Sequence, residues 1–341
     1  MKIAIVNDLP LAVEALRRSL AFNPAHEIVW TATNGAEAVS LCAQHTPDLV
    51  LMDLIMPGMD GVEATRQIMA SSPCAIVVVT ASIGANSWRV FEAMGHGALD
   101  AVDTPELGIG DGRAAAATLL RKVDTIGKLI GDRPLRQIPT IATRKVSGER
   151  LIAIGASSGG PTALARLLGG LSADLAAAVV IVQHIDQQFA GGMADWLCQY
   201  SPWPVRLARE GDRPAPGTVL LAGTGDHLVL KAAARLGYTP DPVEHLHRPS
   251  VDVFFNSVLR HWGGDAYAVL LTGMGRDGAA ALKALRDKGH YTVAQDAASS
   301  AVYGMPKAAA ELQAAVDILP LDGIAPRLMQ LVAGKDWQGR R

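Results

Sequence analysis

A serine sits where an apolar run breaks into small residues. Leu151-Ile152-Ala153-Ile154 stops abruptly in Gly155-Ala156-Ser157-Ser158-Gly159-Gly160-Pro161, and helical spacing resumes over 162–168. A strand-to-helix turn of this kind lifts a hydroxyl from the end of a sheet, beside the backbone N–H groups of a starting helix. There an oxygen nucleophile can attack a carbonyl and have the resulting oxyanion stabilised. Gly155, Ser157 and Gly159 fill the fixed places of G-x-S-x-G.

Such a serine needs a base, and the base needs an acid to orient it. Of nine histidines, His184 stands out, because it follows Val179-Val180-Ile181-Val182-Gln183 and so ends a strand beside the serine's own. Taken singly, a satisfied core histidine is the stronger account; matching positions on neighbouring strand ends reverse it. The acid should come from a third strand end. Residues 268–271 run into Thr272-Gly273-Met274-Gly275-Arg276-Asp277-Gly278, and Asp277 precedes a helical pattern. Capping that helix is its plain alternative role. Together the three form a triad in the order Ser157, His184, Asp277, whereas an α/β-hydrolase runs Ser, Asp, His.

A second constellation lies nearer the N-terminus. Asp8 ends the first strand pattern and Asp53 the third, and Met56-Pro57-Gly58-Met59-Asp60-Gly61 forces a loop after the latter. Adjacent parallel strands bring both carboxylates into one crevice, where a hard cation such as Mg²⁺ offsets their repulsion. A carboxylate beside Mg²⁺ can accept a phosphoryl group. On the two aspartates alone, capping of the following segments explains them equally well; Thr80, ending the fourth strand pattern, shifts the balance toward chemistry.

The elements that must position these groups alternate. Strand patterns at 3–6, 28–31, 49–52, 76–80 and 99–102 are interleaved with helical spacing at 11–21, 36–44, 61–69, 88–94 and 114–130. Five βα units predict a parallel sheet in flavodoxin-like order, with ligand chemistry at the strands' carboxyl ends. Over 131–148 the periodicity gives way to polar and basic residues, which reads as a linker. A second α/β series occupies 149–335, with strands expected at 151–154, 178–182, 219–222, 228–231, 268–271, 291–294 and 315–318, and helices at 162–168, 191–200, 251–262, 279–288, 306–312 and 325–332.

Bulk properties set the bounds. At 341 residues, 49% hydrophobic, the chain suits two packed domains. A net charge of -2 gives nucleic-acid binding no electrostatic support. The three cysteines, Cys42, Cys74 and Cys198, lack metal-ligand spacing and read as buried small hydrophobes. The first residues enter a strand pattern directly and no apolar run reaches the roughly 20 residues that span a bilayer, so the expectation is a cytoplasmic protein without membrane insertion.

Residues 1–130 resemble a response-regulator receiver domain. The resemblance implies Asp53 as phosphoacceptor, Asp8 and the Ile55 backbone carbonyl as Mg²⁺ ligands with Asp53, and Thr80 as the switch hydroxyl that follows the phosphoryl group. It also implies phosphorylation by a CheA-type histidine kinase. Three positions depart from the pattern: Asn7-Asp8 replaces an acidic pair, Thr104 replaces the lysine before Pro105, and Ala101 stands at the aromatic switch position. Phosphoryl transfer needs mainly Asp53 and the metal; the relay to output lacks two usual parts.

Residues 149–335 resemble the catalytic domain of chemotaxis-type protein-glutamate methylesterases, the CheB class. The resemblance is carried by G-A-S-S-G-G-P, V-Q-H, H-R-P-S-V-D, L-L-T-G-M-G-R-D-G-A and G-M-P. Asn7-Asp8 and A-M-G-H-G-A-L-D-A-V-D-T-P look most like the WspF branch, which serves surface sensing. Ser158 stands where threonine is common. The class implies hydrolysis of glutamate γ-methyl esters on methyl-accepting chemoreceptors, often with glutamine deamidation, and no cofactor for either. Backbone N–H groups of Met274 and Ser158 would hold the oxyanion, and the unphosphorylated receiver would cover the catalytic mouth.

Rival readings fare worse. G-x-G-x-x-G requires glycine where Ser157 stands, and Pro161 takes the place of a P-loop lysine. Trp262-Gly263-Gly264-Asp265-Ala266-Tyr267 resembles the diguanylate cyclase signature only superficially and lacks its glutamate. The alternative that remains is a phosphorylation-gated receptor adaptor without turnover.

Overall fold

In the computed structural model, residues 1–80, 83–105, 112–129, 149–245 and 247–334 are described. The expected linker at 131–148 and the ends of the neighbouring expected elements lie outside them. The chain forms two compact units, Met1–Arg133 and Pro134–Arg341.

The first unit alternates β1 (Lys2–Val6), α1 (Pro10–Ala21), β2 (Glu27–Ala32), α2 (Gly35–Gln44), β3 (Leu49–Met52), α3 (Gly61–Ser71), β4 (Ala75–Thr80), α4 (Ile83–Gly95), β5 (Asp100–Asp103) and α5 (Gly112–Leu129). Its sheet runs β2-β1-β3-β4-β5, all parallel, the flavodoxin-like order. Leu49, Val50, Leu51 and Met52 are all fully buried, as helices on both faces of a parallel sheet require. Asn34 and Asp60 cap α2 and α3 through their side chains. α4 begins five residues before the expected start, since Gly84, Asn86 and Ser87 blur its apolar period.

The second unit comprises β6 (Arg150–Ala156), α6 (Gly160–Gly169), β7 (Ala178–Gln183), α7 (Gln187–Leu197), β8 (Val205–Leu207), β9 (Val219–Leu221), β10 (His227–Lys231), β11 (Arg235–Thr239), α8 (Val251–His261), β12 (Asp265–Leu270), α9 (Ala279–Asp287), β13 (Tyr291–Gln295), α10 (Met305–Glu311), β14 (Asp317–Leu319) and α11 (Leu321–Val332). Seven strands form one parallel sheet, β14-β13-β12-β6-β7-β9-β8. β6 and β12 lie at its centre, and Phe254, Phe255, Val258, Leu282 and Leu285 bury one face.

The expected strand at 228–231 forms as β10, outside the seven-stranded sheet, where it pairs antiparallel with β11, which was not expected. β8 escaped notice because it is three residues long, with Arg206 exposed on an edge. α7 starts at Gln187 rather than 191, set by the Asp186 side chain accepting from Gln188 N–H at 2.9 Å, and it ends at Leu197.

Candidate active site

Ser157 directly follows β6, and His184 directly follows β7, its hydrogen-bonded neighbour. His184 N–H donates to the Ala156 carbonyl at 3.0 Å, and Gln183 Nε2 donates to the Ser157 carbonyl at 2.8 Å, so the two strand ends are tied together. The third end comes from β12, on the other side of β6. Ser157 N–H donates to Thr272 O at 3.0 Å.

Small residues make the junction possible. Gly159 has φ +73° and opens α6 with Pro161 in its first turn. A Cβ on Gly273 would lie 2.7 Å from the Ser157 Cβ, so only glycine lets the β12 loop pass the serine this closely. The G-M-P motif secures that loop, because the N–H groups of Gly304 and Met305 both donate to Gly273 O.

His184 Nε2 lies 2.7 Å from Asp277 Oδ2. Asp277 also accepts from Ser250 Oγ at 2.8 Å, Val251 N–H at 2.7 Å and Asp252 N–H at 3.0 Å. Burial pushes this carboxyl up, but the hydrogen bond and charge of His184 and the two N–H groups outweigh it and hold it well below the usual carboxylate range. An ionised carboxylate only accepts, so the imidazole carries its proton on Nε2 and presents the lone pair of Nδ1. That Nδ1 is buried and has no hydrogen-bond partner among the described residues. The ring of His247 stacks on His184, with centroids 4.2 Å apart and planes 11° from parallel.

The helix-cap alternative for Asp277 is therefore corrected in its target. Gly278, at φ +86°, starts α9 without a side-chain cap. Asp277 instead faces the N-terminus of α8, where the positive end of the helix dipole favours a carboxylate. Asp252 of α8 returns the arrangement by accepting from Ala281 N–H of α9 at 2.8 Å.

The structure thus joins His184 to Asp277 and places Ser157 on the adjacent strand end, buried to 6% exposure. Among the described residues, no hydrogen bond joins the Ser157 hydroxyl to the imidazole. Of the expected oxyanion donors, Met274 N–H donates to no group among the described residues, and Ser158 begins the turn after the serine. Sequence reasoning did not assign roles to Gln183, Ser250, His227 or Thr272. Gln183, Ser250 and Thr272 lie inside the quoted motifs, which were their only signal.

In the first unit, Asp53 N–H donates to Val6 O at 2.9 Å, which sets Asp53 beside the β1 end that carries Asp8. Asp53 Oδ1 accepts from Leu54 N–H at 2.7 Å. Burial pushes the Asp53 carboxyl up to about 6; the Ile55 and Leu54 N–H groups pull against this, and the Asp8 charge adds to it. A carboxylate so disfavoured beside a second one is a pair that a cation relieves, and the donors fit Mg²⁺. Thr80 is buried at the end of β4, and its carbonyl accepts from Thr104 N–H at 3.1 Å. Ala101 is buried within β5. Asn7 Oδ1 is engaged by Leu9 N–H at 2.8 Å. Cys42 is buried, but Cys198 is exposed, against expectation: it follows α7 at the surface, where its thiol meets the backbone of Val205. No described helix is long and apolar enough to cross a membrane.

The chain's two units, one with paired aspartates at its strand ends and one with a serine beside an aspartate-bound imidazole, each match a known family. Residues 152–328 match the CheB methylesterase family and residues 3–106 the response regulator receiver domain, so the chain belongs to the CheB methylesterase family. It is 62% identical over 333 residues to protein-glutamate methylesterase/protein-glutamine glutaminase 1 of Pseudomonas fluorescens Pf0-1, covering 97% of this chain and 99% of the relative. Identity to protein-glutamate methylesterase/protein-glutamine glutaminase 3 of Pseudomonas aeruginosa PAO1 is also 62%, with the same coverage. The crystal structure of the Thermotoga maritima CheB methylesterase catalytic domain superposes with a TM-score of 0.51 at 32% identity, covering 55% of this chain and all of that one.

Proposed function

We propose that this chain is a phosphorylation-regulated protein-glutamate methylesterase that also deamidates glutamine side chains, acting in the cytoplasm on methyl-accepting chemoreceptors. The observation that carries the reading is the 2.7 Å His184–Asp277 pair on the strand end beside Ser157. Ser157 Oγ attacks the ester carbonyl carbon and its proton passes to His184 Nδ1. N–H groups of Met274 and Ser158 receive the oxyanion. The tetrahedral adduct expels methanol, protonated from Nδ1, and water then releases glutamate from the serine ester by the same proton relay. With a glutamine side chain the leaving group is ammonia. Hydrogen bonds between nucleophile and base commonly tighten only once substrate is bound, which suits the unjoined Ser157 hydroxyl.

Asp53 is the phosphoacceptor in this reading, with a CheA-type histidine kinase as donor, and Thr80 is the switch hydroxyl. Asp8, Asp53 and the Ile55 carbonyl would hold Mg²⁺, which neutralises the transferring oxygens. Thr104 and Ala101 make the relay from phosphate to output different from the usual lysine-and-aromatic device.

Methanol release from methylated receptor membranes tests the proposal. Wild type should release methanol faster with a small phosphodonor and Mg²⁺, Asp53→Ala should not respond to the donor, and Ser157→Ala should release none. Turnover by Ser157→Ala would refute the mechanism. Receptor binding by wild type without any turnover would support the adaptor reading instead.

A further inference from the structure

We propose that Ser250 is a positioning residue for hydrolysis: its hydroxyl, placed by the buried His227, holds the Asp277 carboxylate in the rotation that orients His184. The inference rests on the hydrolase reading above and adds a fourth and fifth side chain to it.

A carboxylate turns about a broad torsion, so a single partner leaves its plane loosely set. Asp277 Oδ2 meets both His184 Nε2 and Val251 N–H, each at 2.7 Å, and rotation about that end is limited further by what holds Oδ1. Ser250 Oγ is the one side-chain donor on Oδ1 among the described residues, at 2.8 Å. Asp252 N–H is the other donor there, at 3.0 Å. A serine hydroxyl has one proton to give, and here it goes to Asp277. The hydroxyl oxygen also accepts from Val253 N–H at 3.3 Å, so Ser250 caps α8 as well, with the longer of its two bonds.

Ser250 is itself held. It is fully buried, and its N–H donates to His227 Nδ1 at 3.1 Å. His227 is fully buried too, and its Nε2 lies 3.1 Å from Pro242 O. Nδ1 must accept and Nε2 must donate, so the ring is neutral in a single tautomer, and burial favours that state. An uninterrupted line of hydrogen bonds runs from the Pro242 carbonyl through His227, Ser250 and Asp277 to His184. The same segment also supplies His247, whose ring covers one face of His184. The line spans β10, the start of α8, the β12 loop and the end of β7, so it couples the orientation of the base to four elements.

Helix capping alone would give Ser250 a different mutational signature. Glycine is nearly as good an N-cap as serine, while alanine is much poorer. Three full-length variants, Ser250→Gly, Ser250→Ala and Ser250→Thr, should be assayed for methanol release from methylated receptor membranes and for thermal unfolding. The expected result is a fall in kcat of about 10- to 100-fold in both Gly and Ala variants, the range commanded by a hydrogen bond to a charged group, with KM unchanged. Ser250→Thr, which keeps a hydroxyl, should recover activity to within about threefold of wild type. Unfolding temperature should drop further for Ala than for Gly, because only the alanine also costs the helix cap. His227→Phe, combined with Ser250→Gly, should cost no more activity than Ser250→Gly alone. Wild-type kcat in Ser250→Gly, or activity that tracks unfolding temperature through the series, would overturn the proposal. Ser157→Ala run alongside separates the two levels. Full activity there removes the hydrolase reading itself, whereas a dead Ser157→Ala beside an active Ser250→Gly removes only this inference.

Discussion

Replacing Asp53 by asparagine should make the first unit more stable at neutral pH. The carboxyl is 8% exposed, and burial raises it from its ordinary 3.8 to about 6. At about 1.4 kcal/mol per tenfold change in proton affinity, keeping it ionised in the folded state costs roughly 3 kcal/mol. The native state therefore holds its proton to higher pH than the unfolded chain does. The Asp53 contribution is most favourable below about 4, is lost as pH rises through about 6, and its full cost is present above that. The amide of the variant removes the charge, keeps an oxygen to accept the Leu54 N–H, and carries no such pH dependence. In calorimetry of the full-length protein at pH 7.5, the transition of the first unit should rise by about 10 °C in Asp53→Asn. At pH 4.5 the gap should largely close. Mg²⁺ should raise the wild-type transition more than the variant's, since the proposed site would hold it between the charged pair only in the folded state. An Asp53→Asn transition at or below wild type at pH 7.5, or a gap that widens at pH 4.5, would refute the reasoning.

Two further changes follow from the second unit. Gly273→Ala would set a methyl group 2.7 Å from the Ser157 Cβ, and displacement of the nucleophile on that scale should lower kcat by about 100-fold while the chain stays folded by circular dichroism. In Asp277→Asn the Ser250 hydroxyl and Asp252 N–H hold the amide oxygen, so the NH₂ faces His184 Nε2 and forces the wrong imidazole tautomer; kcat should fall by about 1,000- to 10,000-fold. Because folding lowers the Asp277 carboxyl, its contribution to stability is present at neutral pH and is lost as pH falls below the ordinary carboxylate range; acid titration of the second unit's unfolding should therefore be flatter in Asp277→Asn.

The strand-end positions of Ser157, His184, Asp8 and Asp53 were legible because each comes within three residues of the end of an apolar run that reads as a buried strand. A parallel sheet turns position at a strand's carboxyl end into proximity. The pairing of Asp277 with His184 was legible, but the helix its carboxylate meets was not. Spacing pointed to the helix it precedes, whereas Gly278 at φ +86° turns the chain so that the carboxylate meets α8. Ser250 and His227 are beyond spacing arguments: the Ser250 bonds to Asp277 and His227 cross 27 and 23 residues of chain, and neither residue ends a strand. The pairing of β10 with β11 was not legible, because a strand's alternation does not say which sheet it joins.

Ser157 and His184 are held to act as one unit, though no hydrogen bond links them in the resting protein. Turnover numbers for methanol release by Ser157→Ala, His184→Ala and the double variant test this most directly. If nucleophile and base share one relay, the double variant is no slower than the worse single one. Losses that multiply, or a His184→Ala enzyme that turns over like wild type, would contradict it.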